Sequence, residues 1–378
     1  MTIERLECFT MEYRFSPRRG PSIAYSDEHS YVLVKLTDRD GVVGWGETYL
    51  VPGAAATIET LGPMLMGRNA SDALGIKRDV AVAAQDAYVS SAISIAIDDL
   101  RAREIGVPIY QLYGGARRER IRAYGASGGY VEGEDPGTTW PDEAAGLVAE
   151  GYTAIKLRIG RYPLGHERPI YERLRAELPS SVALMADGNA GYTFRQAIET
   201  GKVLHELGFL WWEEPMHQWD GYMGYERLAA ALEIALAGGE ITMSRNAAKN
   251  LIDRSGVDII QPEPVICGGI SEALFIADLA RLNAISAVPH TSGSAIGIAA
   301  AVQCIAALPD PTRLSLHDVP MLEMGADPNP WRTDLFTRPI REPDGWVTVP
   351  TGPGLGWEVD EAFVRRRASE VRVVMAAR

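Results

Sequence analysis

The sequence predicts an α/β fold in which a (β/α)8-type TIM barrel carries a smaller α+β domain. Between residues 121 and 316, eight short apolar runs begin at intervals of 23 to 33 residues, and helical stretches fill the gaps. A β-rich hairpin and a helix precede this alternation, and one more strand-like segment follows it. The 378 residues suffice for two units, since a barrel of this type uses about 250 residues.

Residues 1–118 are expected to form the α+β domain. Segments 31–36 and 42–45 are rich in β-branched and aromatic residues, and an Asp-Gly pair between them is typical of a hairpin turn. Segment 92–104 has a helical composition and ends before a glycine and a proline, which stop helices. Antiparallel strands followed by helices indicate an α+β unit.

Residues 119–343 are expected to form the barrel, and residues 344–378 to return to the first domain through a strand at 344–350. A helix at 271–282 fills one of the gaps between strands, with Ser271 as its expected N-cap. The eight predicted strands lie at 121–126, 154–159, 183–186, 209–212, 234–237, 257–260, 285–288 and 313–316.

Charge and composition exclude several classes of function. With 37 basic and 50 acidic residues the net charge is −13, which argues against nucleic acid or an anionic membrane as a partner. The longest nearly apolar stretch, 296–308, is too short to span a bilayer, and the first residues lack the apolar core of a signal peptide. Three distant cysteines favour neither disulfides nor structural zinc. We therefore expect a cytoplasmic protein.

Acidic residues follow three consecutive predicted strands, at the strand ends where a barrel carries its chemistry. Asp187, Glu213 and Glu240 are separated by 26 and 27 residues, which is one strand–helix unit each. Three clustered carboxylates repel one another unless a cation neutralises them, and oxygen ligands in limited number favour Mg2+. Each acid alone is equally well explained as a cap of the following helix, but the shared spacing favours a metal site.

Cationic and imidazole side chains are expected at the same barrel mouth. Lys156 and Arg158 alternate along the second strand and therefore face the same side, where they suit a substrate carboxylate; a structural ion pair is the alternative. His290 and Glu263 end neighbouring strands, whose axes lie about 4.8 Å apart, so a hydrogen bond that strengthens the base is within reach. His290 is thus the best general-base candidate, and Glu323 follows the eighth strand.

A series of short motifs runs in order along nearly the whole chain. They are GVVGWGE at 41–47, AISIAIDDL at 92–100, LYGG at 112–115, AYG at 123–125, KLR at 156–158, DGN at 187–189, EEP at 213–215, GE at 239–240, QPE at 261–263 through GGI at 268–270, PH at 289–290, NPWR at 329–332 and GPGLG at 352–356. Each is weak alone, but the ordered set is specific. Through this ordered set of motifs the chain resembles the mandelate racemase subgroup of the enolase superfamily.

The resemblance implies one Mg2+ ion on Asp187, Glu213 and Glu240, with His290 as base or acid and Glu323 as hydrogen-bond partner of the enediolate. It also implies a homo-oligomer, and a capping domain that closes over the barrel mouth with a mobile loop near residues 15–30. Candidates for contact with a small carboxylate substrate are Arg18, Arg19, Tyr25 and His29 in that loop, and Asn189 and His217 after the third and fourth strands.

Two positions depart from the family pattern. The second strand usually carries Lys-x-Lys, whose second lysine is a base, whereas Arg158 stays protonated because its pKa lies above about 12. This disfavours racemisation by two bases. The partner of the histidine is usually Asp, and Glu263 is one methylene longer, which changes the geometry of the pair.

The expected activity is removal of the proton α to a carboxylate, with Mg2+, Lys156 and Glu323 stabilising the resulting dianion. Because one base suffices for elimination, we favour dehydration of an aldonic or aldaric acid to a 2-keto-3-deoxy acid. A cycloisomerase, epimerase or racemase acting on a sugar acid or its lactone is the alternative. A degenerate barrel that only binds an acid is an alternative of another class.

Overall fold

The computed structural model describes residues 1–218, 221–309, 320–340 and 344–377, and its strands form two sheets. No helix within these ranges has the length and apolar character needed to cross a membrane. The strands are β1 (Ile3–Gly20), β2 (Ser26–Asp38), β3 (Val43–Tyr49), β4 (Arg120–Ser127), β5 (Tyr130–Val131), β6 (Ala154–Arg158), β7 (Ala183–Asp187), β8 (Trp211–Glu213), β9 (Ala235–Gly238), β10 (Ile259–Ile260), β11 (Ser286–Ala287), β12 (Leu322–Gly325), β13 (Trp346–Thr348) and β14 (Ala368–Met375). The α-helices are α1 (Ala54–Leu65), α2 (Ala73–Ala84), α3 (Ala87–Glu104), α4 (Pro136–Ala149), α5 (Leu164–Glu177), α6 (Phe194–Glu206), α7 (Tyr225–Ala229), α8 (Arg245–Arg254), α9 (Ile270–Leu282), α10 (Ala295–Ala307), α11 (Pro330–Thr333) and α12 (Glu361–Arg367).

The capping domain is built on an antiparallel sheet of order β14-β1-β2-β3. The predicted hairpin is confirmed, since β2 and β3 pair antiparallel. Helix α3 packs closely on β3 because glycines of β3 leave room for it: a Cβ at Gly46 would lie 1.9 Å from the carbonyl oxygen of Ala92. The helix begins at Ala87, earlier than predicted, because Asp86 accepts hydrogen bonds from the backbone of its first turn.

Eight parallel strands form the barrel, in the order β11-β10-β9-β8-β7-β6-β4-β12. Seven of the predicted runs overlap these strands, and buried side chains such as Met185 and Trp211 fill the interior. The eighth predicted run, 313–316, lies outside the described residues. Strand β4 pairs with β6 on one edge and with β12 on the other, which makes β12 the last strand of the barrel. Glu323 therefore lies within the last strand, whereas the sequence predicted that it follows the eighth strand.

Two predicted features differ from the structure. The segment predicted as a strand at 344–350 contains β13, which pairs antiparallel with β4 of the barrel, and β14 is the strand that joins the capping sheet. Helix α9 begins at Ile270 with Gly269 as its N-cap, so Ser271 lies in the first turn and does not cap it. Glycine is required there, because φ is +103° and a Cβ would lie 2.3 Å from the hydroxyl of Ser94.

Three consecutive residues at the end of β3 join the capping domain to the barrel. Glu47 accepts hydrogen bonds from the N-terminus of α10, and Thr48 donates at 2.8 Å to a backbone carbonyl in the loop after β10. The hydroxyl of Tyr49 donates to Glu263, which follows β10. A second connection comes from β1, whose residue Arg19 pairs with Val131 of β5. The capping domain therefore contacts the barrel through its own sheet.

Candidate active site

The carboxyl ends of β6 to β9 bring one lysine and several acids together. Lys156 and Glu213 are buried, and Lys156 Nζ lies 2.7 and 2.8 Å from the two carboxylate oxygens of Glu213. The same nitrogen is 2.8 Å from Oε1 of Glu323. Burial works against the charged amine, but Glu213 and Glu323 outweigh it and hold the pKa of Lys156 well above its usual range. This lysine is therefore a fixed positive charge among acids.

Asp187 and Glu240 lie on either side of Glu213 along the sheet. Burial, with repulsion from Glu213, raises the pKa of Asp187 to about 8. Burial likewise raises the pKa of Glu240 to about 8, against the attraction of His290. Asp187 is oriented by Asn189, whose backbone N–H and side-chain amide each donate to its carboxylate at 2.8 Å. The acids thus carry more potential negative charge than one lysine compensates.

The side chains that could share a metal ion lie close together. Within the described part of the chain, ligand atoms of Glu213, Glu240 and His290 approach within 4.8 Å of one another. Asp187 is not in this group, but it pairs in register with Glu213, and both of its oxygens accept hydrogen bonds from Asn189. A set of buried carboxylate oxygens is the kind of site that holds a hard divalent cation.

The hydrogen bond expected between His290 and Glu263 is present, with Nδ1 2.6 Å from Oε2. The other ring nitrogen, Nε2, faces the acids, at 3.2 Å from Glu240 and 3.7 Å from Glu323. Burial disfavours the charged ring, but Glu240, Glu323 and Glu263 together hold the pKa of His290 well above its usual range. The second oxygen of Glu263 accepts from the hydroxyl of Tyr49 at 2.6 Å, so the longer glutamate is held from both sides.

Glu323 faces the same space from β12. Its Oε2 accepts hydrogen bonds from the hydroxyl of Tyr124 at 3.0 Å and from the backbone N–H of Thr291 at 3.4 Å. Burial opposes its ionisation, yet the charges of Lys156 and His290 lower the pKa of Glu323 to about 2. In this state Glu323 accepts hydrogen bonds and does not donate them.

Arg158 lies two residues after Lys156, at the carboxyl end of β6, and forms an ion pair with Asp327. Its Nη1 is 3.1 Å from one carboxylate oxygen of Asp327, and Nη1 of Arg19 from the capping domain is 3.4 Å from the other. We call Arg158 and Arg19 the mouth arginine pair. The structure thus places two of the predicted site residues together around an acid that the sequence did not single out.

The remaining candidates for substrate contact occupy other positions. Arg18 is half exposed and donates to a surface glutamate and to the backbone oxygen of Tyr25. The guanidinium of Arg161 lies 3.7 Å from the centre of the Tyr25 ring. His29 packs against a phenylalanine ring, and burial lowers its pKa to about 4. His217 is exposed. Among the described residues, Arg18, Tyr25 and His29 make no hydrogen bond to Asp187, Glu213, Glu240 or Glu323.

Sequence reasoning missed four residues of the site. Gln261 donates to Glu213 at 2.5 Å, and its position at the end of a predicted strand, two residues before Glu263, was an available signal. Tyr124 was also on a predicted strand and faces inward. Tyr49 and Asp327 carried no local signal, because each reaches the site from a segment distant in sequence.

Comparison with known proteins gives matches along most of the chain. The family model described as "Mandelate racemase / muconate lactonizing enzyme, N-terminal domain" matches residues 13–114. The model described as "Enolase C-terminal domain-like" matches residues 140–363. The two matches correspond to the capping domain and to the barrel with part of the tail.

Individual relatives match over nearly their whole length. The chain is 33% identical to D-galactarolactone cycloisomerase of Agrobacterium fabrum, over 95% of this chain and 97% of that protein. It is 30% identical to arabinonate dehydratase of Saccharolobus solfataricus, over 87% and 88% of the two chains. The solved structure of L-talarate/galactarate dehydratase from Salmonella typhimurium, liganded with Mg and L-lyxarohydroxamate, shares the fold with a TM-score of 0.87 at 24% identity, over 99% and 94% of the chains.

Proposed function

We propose a function from the premise that the chain belongs to the mandelate racemase and muconate lactonizing enzyme family. It abstracts the proton α to the carboxylate of a sugar acid and eliminates the oxygen on the β-carbon, in a reaction that depends on Mg2+. The observation that carries this proposal is the His290–Glu263 pair, in which Glu263 holds Nδ1 and Nε2 faces Glu240 and Glu323. Arg158 supplies no second base, so elimination by one base fits better than racemisation.

The acids of the site fit a divalent cation. Asp187 and Glu240 reach pKa values of about 8 because burial and mutual repulsion leave them short of positive charge. We assign Asp187, Glu213 and Glu240 as the residues that hold Mg2+, in keeping with the solved relative liganded with Mg. When bound, Mg2+ acts as a Lewis acid that stabilises negative charge on the substrate carboxylate.

His290 accepts the α-proton on Nε2, because Nδ1 is engaged by Glu263. The carboxylate of Glu263 stabilises the imidazolium that forms, and Tyr49 keeps that carboxylate in position. Glu240 makes the largest of the attractions that keep the imidazole protonated, so a cation on Glu240 favours the neutral base. A general base placed in this way contributes about 10²- to 10⁴-fold in rate.

The second step breaks the bond between the β-carbon and its oxygen. The electron pair of the enediolate forms the double bond between the α- and β-carbons, and the leaving oxygen takes the C–O pair and the proton of the His290 imidazolium. Lys156 remains beside the substrate carboxylate as a positive charge throughout. The enol that remains tautomerises to a 2-keto-3-deoxy acid, and the leaving group departs as water.

Ring opening is the second candidate, favoured by the similarity to a protein named D-galactarolactone cycloisomerase. The same bond breaks, but the leaving oxygen belongs to a ring and stays attached to the substrate. The product then has the mass of the substrate. Both reactions use His290 and Glu263 in the same way.

The test is a mass-resolved screen of aldonic acids, aldaric acids and their lactones, with Mg2+ and with EDTA. Loss of one water supports dehydration, and an unchanged mass with formation of a keto acid supports ring opening. Turnover of none of these compounds, or activity that persists in EDTA, would refute the proposal. His290→Asn, which keeps a polar side chain of similar size, is expected to lower kcat at least about 10²-fold.

A further inference from the structure

The mouth arginine pair places two positive charges around one carboxylate at the entrance of the barrel. Nη1 of Arg158 and Nη1 of Arg19 lie 3.1 and 3.4 Å from the two oxygens of Asp327. The side chains of Arg158, Arg19 and Asp327 are 21%, 22% and 18% exposed, so they are shielded from bulk solvent and still open to a small ligand.

Backbone from both domains fixes this arrangement. Arg158 ends β6 and reaches Asp327 past the end of β4, where Gly129 has no side chain. A Cβ at Gly129 would lie 3.5 Å from Nη1 of Arg158 and 3.6 Å from Oδ1 of Asp327, so a larger side chain would fill the gap between them. Arg19 is held over the mouth because β1 pairs with β5 at this residue.

Polar groups at the mouth remain without hydrogen-bond partners among the described residues. Asp327 is one acid beside two arginines, and although burial opposes its ionisation, Arg158 and Arg332 lower its pKa below the usual range. Nε of Arg19 and Nε2 of His29 are buried and have no hydrogen-bond partner within the described part of the chain. In the ranges that the structure describes, Arg19 therefore keeps an N–H donor without a partner beside Asp327, and His29 keeps a free ring nitrogen.

The distance from the acid cluster suits one small molecule. Arg158 lies two residues beyond Lys156 on the same face of β6, so their Cα atoms are about 6.6 Å apart along the strand. The carbon chain of a five- or six-carbon acid has about the same length, as judged from carbon–carbon bonds of about 1.5 Å. Arg158 also directs its guanidinium across β4 towards Asp327, so a substrate whose first carboxylate lies beside Lys156 is long enough to bring its far end to this guanidinium.

We infer that the mouth arginine pair binds a second carboxylate at the far end of the substrate, so that the enzyme acts on aldaric diacids or their monolactones in preference to aldonic monoacids. A carboxylate between two guanidinium groups accepts charge-assisted hydrogen bonds, which are stronger than those to a terminal hydroxyl. This inference deepens the proposed function and rests on it for the identity of the reaction.

The kinetic test compares the ratio of kcat/KM for an aldaric acid to that for the aldonic acid of the same configuration. Arg158→Gln and Arg19→Gln are each expected to lower this ratio about 10- to 100-fold, the effect of one hydrogen bond to a charged group. Arg14→Gln is the matched control, because Arg14 lies on the same strand β1 but pairs with Asp27 and Glu28 instead of Asp327. A ratio that does not change in the two mouth variants overturns the inference.

A binding measurement separates this inference from the proposed reaction. Glutarate and its monoamide are not substrates for elimination, and titration calorimetry of the wild-type protein with Mg2+ compares their affinities directly. Glutarate is expected to bind at least about 10-fold more tightly, and Arg158→Gln to remove the difference. Equal affinities for the wild-type protein overturn the inference even if sugar acids are turned over. A preference for glutarate supports the diacid site even if the elimination activity is absent.

Discussion

Replacing Lys156 by methionine removes the positive charge at the centre of the site while keeping an unbranched side chain. Lys156 Nζ contacts both oxygens of Glu213 and one oxygen of Glu323, all within 2.8 Å, and the three side chains are buried. In the metal-free variant these acids keep their hydrogen bonds from Gln261 and Tyr124 but lose their cation.

The size of the effect follows from these contacts. Breaking a buried ion pair by removing one partner costs about 3–5 kcal/mol. Unfolding entropy of about 2.1 cal/mol/K per residue, over 378 residues, converts this cost to a fall in Tm of about 4–6 °C. Loss of one preorganised positive charge beside the developing enediolate lowers kcat by about 10²- to 10³-fold.

The assay measures Tm without Mg2+ and, with Mg2+, both turnover and the exchange of the α-proton in deuterated solvent. Lys156→Met should lose exchange and turnover together, since the charge acts on the enediolate that precedes both. Lys156→Arg is the control that retains the charge in the same strand. Wild-type exchange in Lys156→Met, or an unchanged Tm in the metal-free variant, would refute the role assigned to this lysine.

The remaining predictions concern the histidine pair, the acids and the domain contact. Glu263→Gln keeps the shape but not the charge that stabilises imidazolium at His290, so kcat should fall about 10²- to 10⁴-fold with little change in KM; an unchanged kcat contradicts the pairing. Mg2+ at about 100 times its Kd should raise Tm by about 3 °C. One fixed Mg2+ concentration should raise Tm more at about pH 8.5 than at pH 6, because Asp187 and Glu240 have pKa values of about 8 and must lose protons to bind the ion. Thermal melts that show the same Mg2+-induced shift at both pH values would contradict this. Burial raises the pKa of Glu47 to about 7, against the hydrogen bonds it accepts from α10, so the folded state binds more protons than the unfolded one between about pH 4.5 and 7. The Tm of the wild-type protein should therefore fall relative to that of Glu47→Gln as pH rises through this window. Thermal melts in which the difference, wild type minus variant, stays constant or grows with pH would contradict this.

Local patterns in the sequence predicted much of the barrel and the positions of the polar residues at its strand ends. Alternating apolar runs located seven strands, and acids placed one unit apart located Asp187, Glu213 and Glu240, because a strand end is a local feature that repeats. The hydrogen bond from His290 to Glu263 also followed from neighbouring strands. The resemblance to a known family added what residue types alone leave open, including the expectation of a mobile loop in the cap.

Contacts between distant segments were beyond these patterns. Asp327 forms its ion pair with Arg158 next to Gly129, which has no side chain to fill the space. The three residues are far apart in the sequence, and no local pattern links them. The contact of Tyr49 with Glu263 likewise depends on how two domains pack. The register of the last barrel strand also differed, since Glu323 belongs to β12.

Glu47, Thr48 and Tyr49 have a consequence for how such enzymes can be recombined. A chimera that joins this capping domain to the barrel of a relative brings in three side chains whose partners are the start of α10, the loop after β10 and Glu263. An aspartate in place of Glu263 is one methylene shorter, so its carboxylate would lie farther from the hydroxyl of Tyr49. The two domains are therefore coupled through specific side chains at this point, and shuffling experiments should transfer 47–49 together with the barrel segments that contact them.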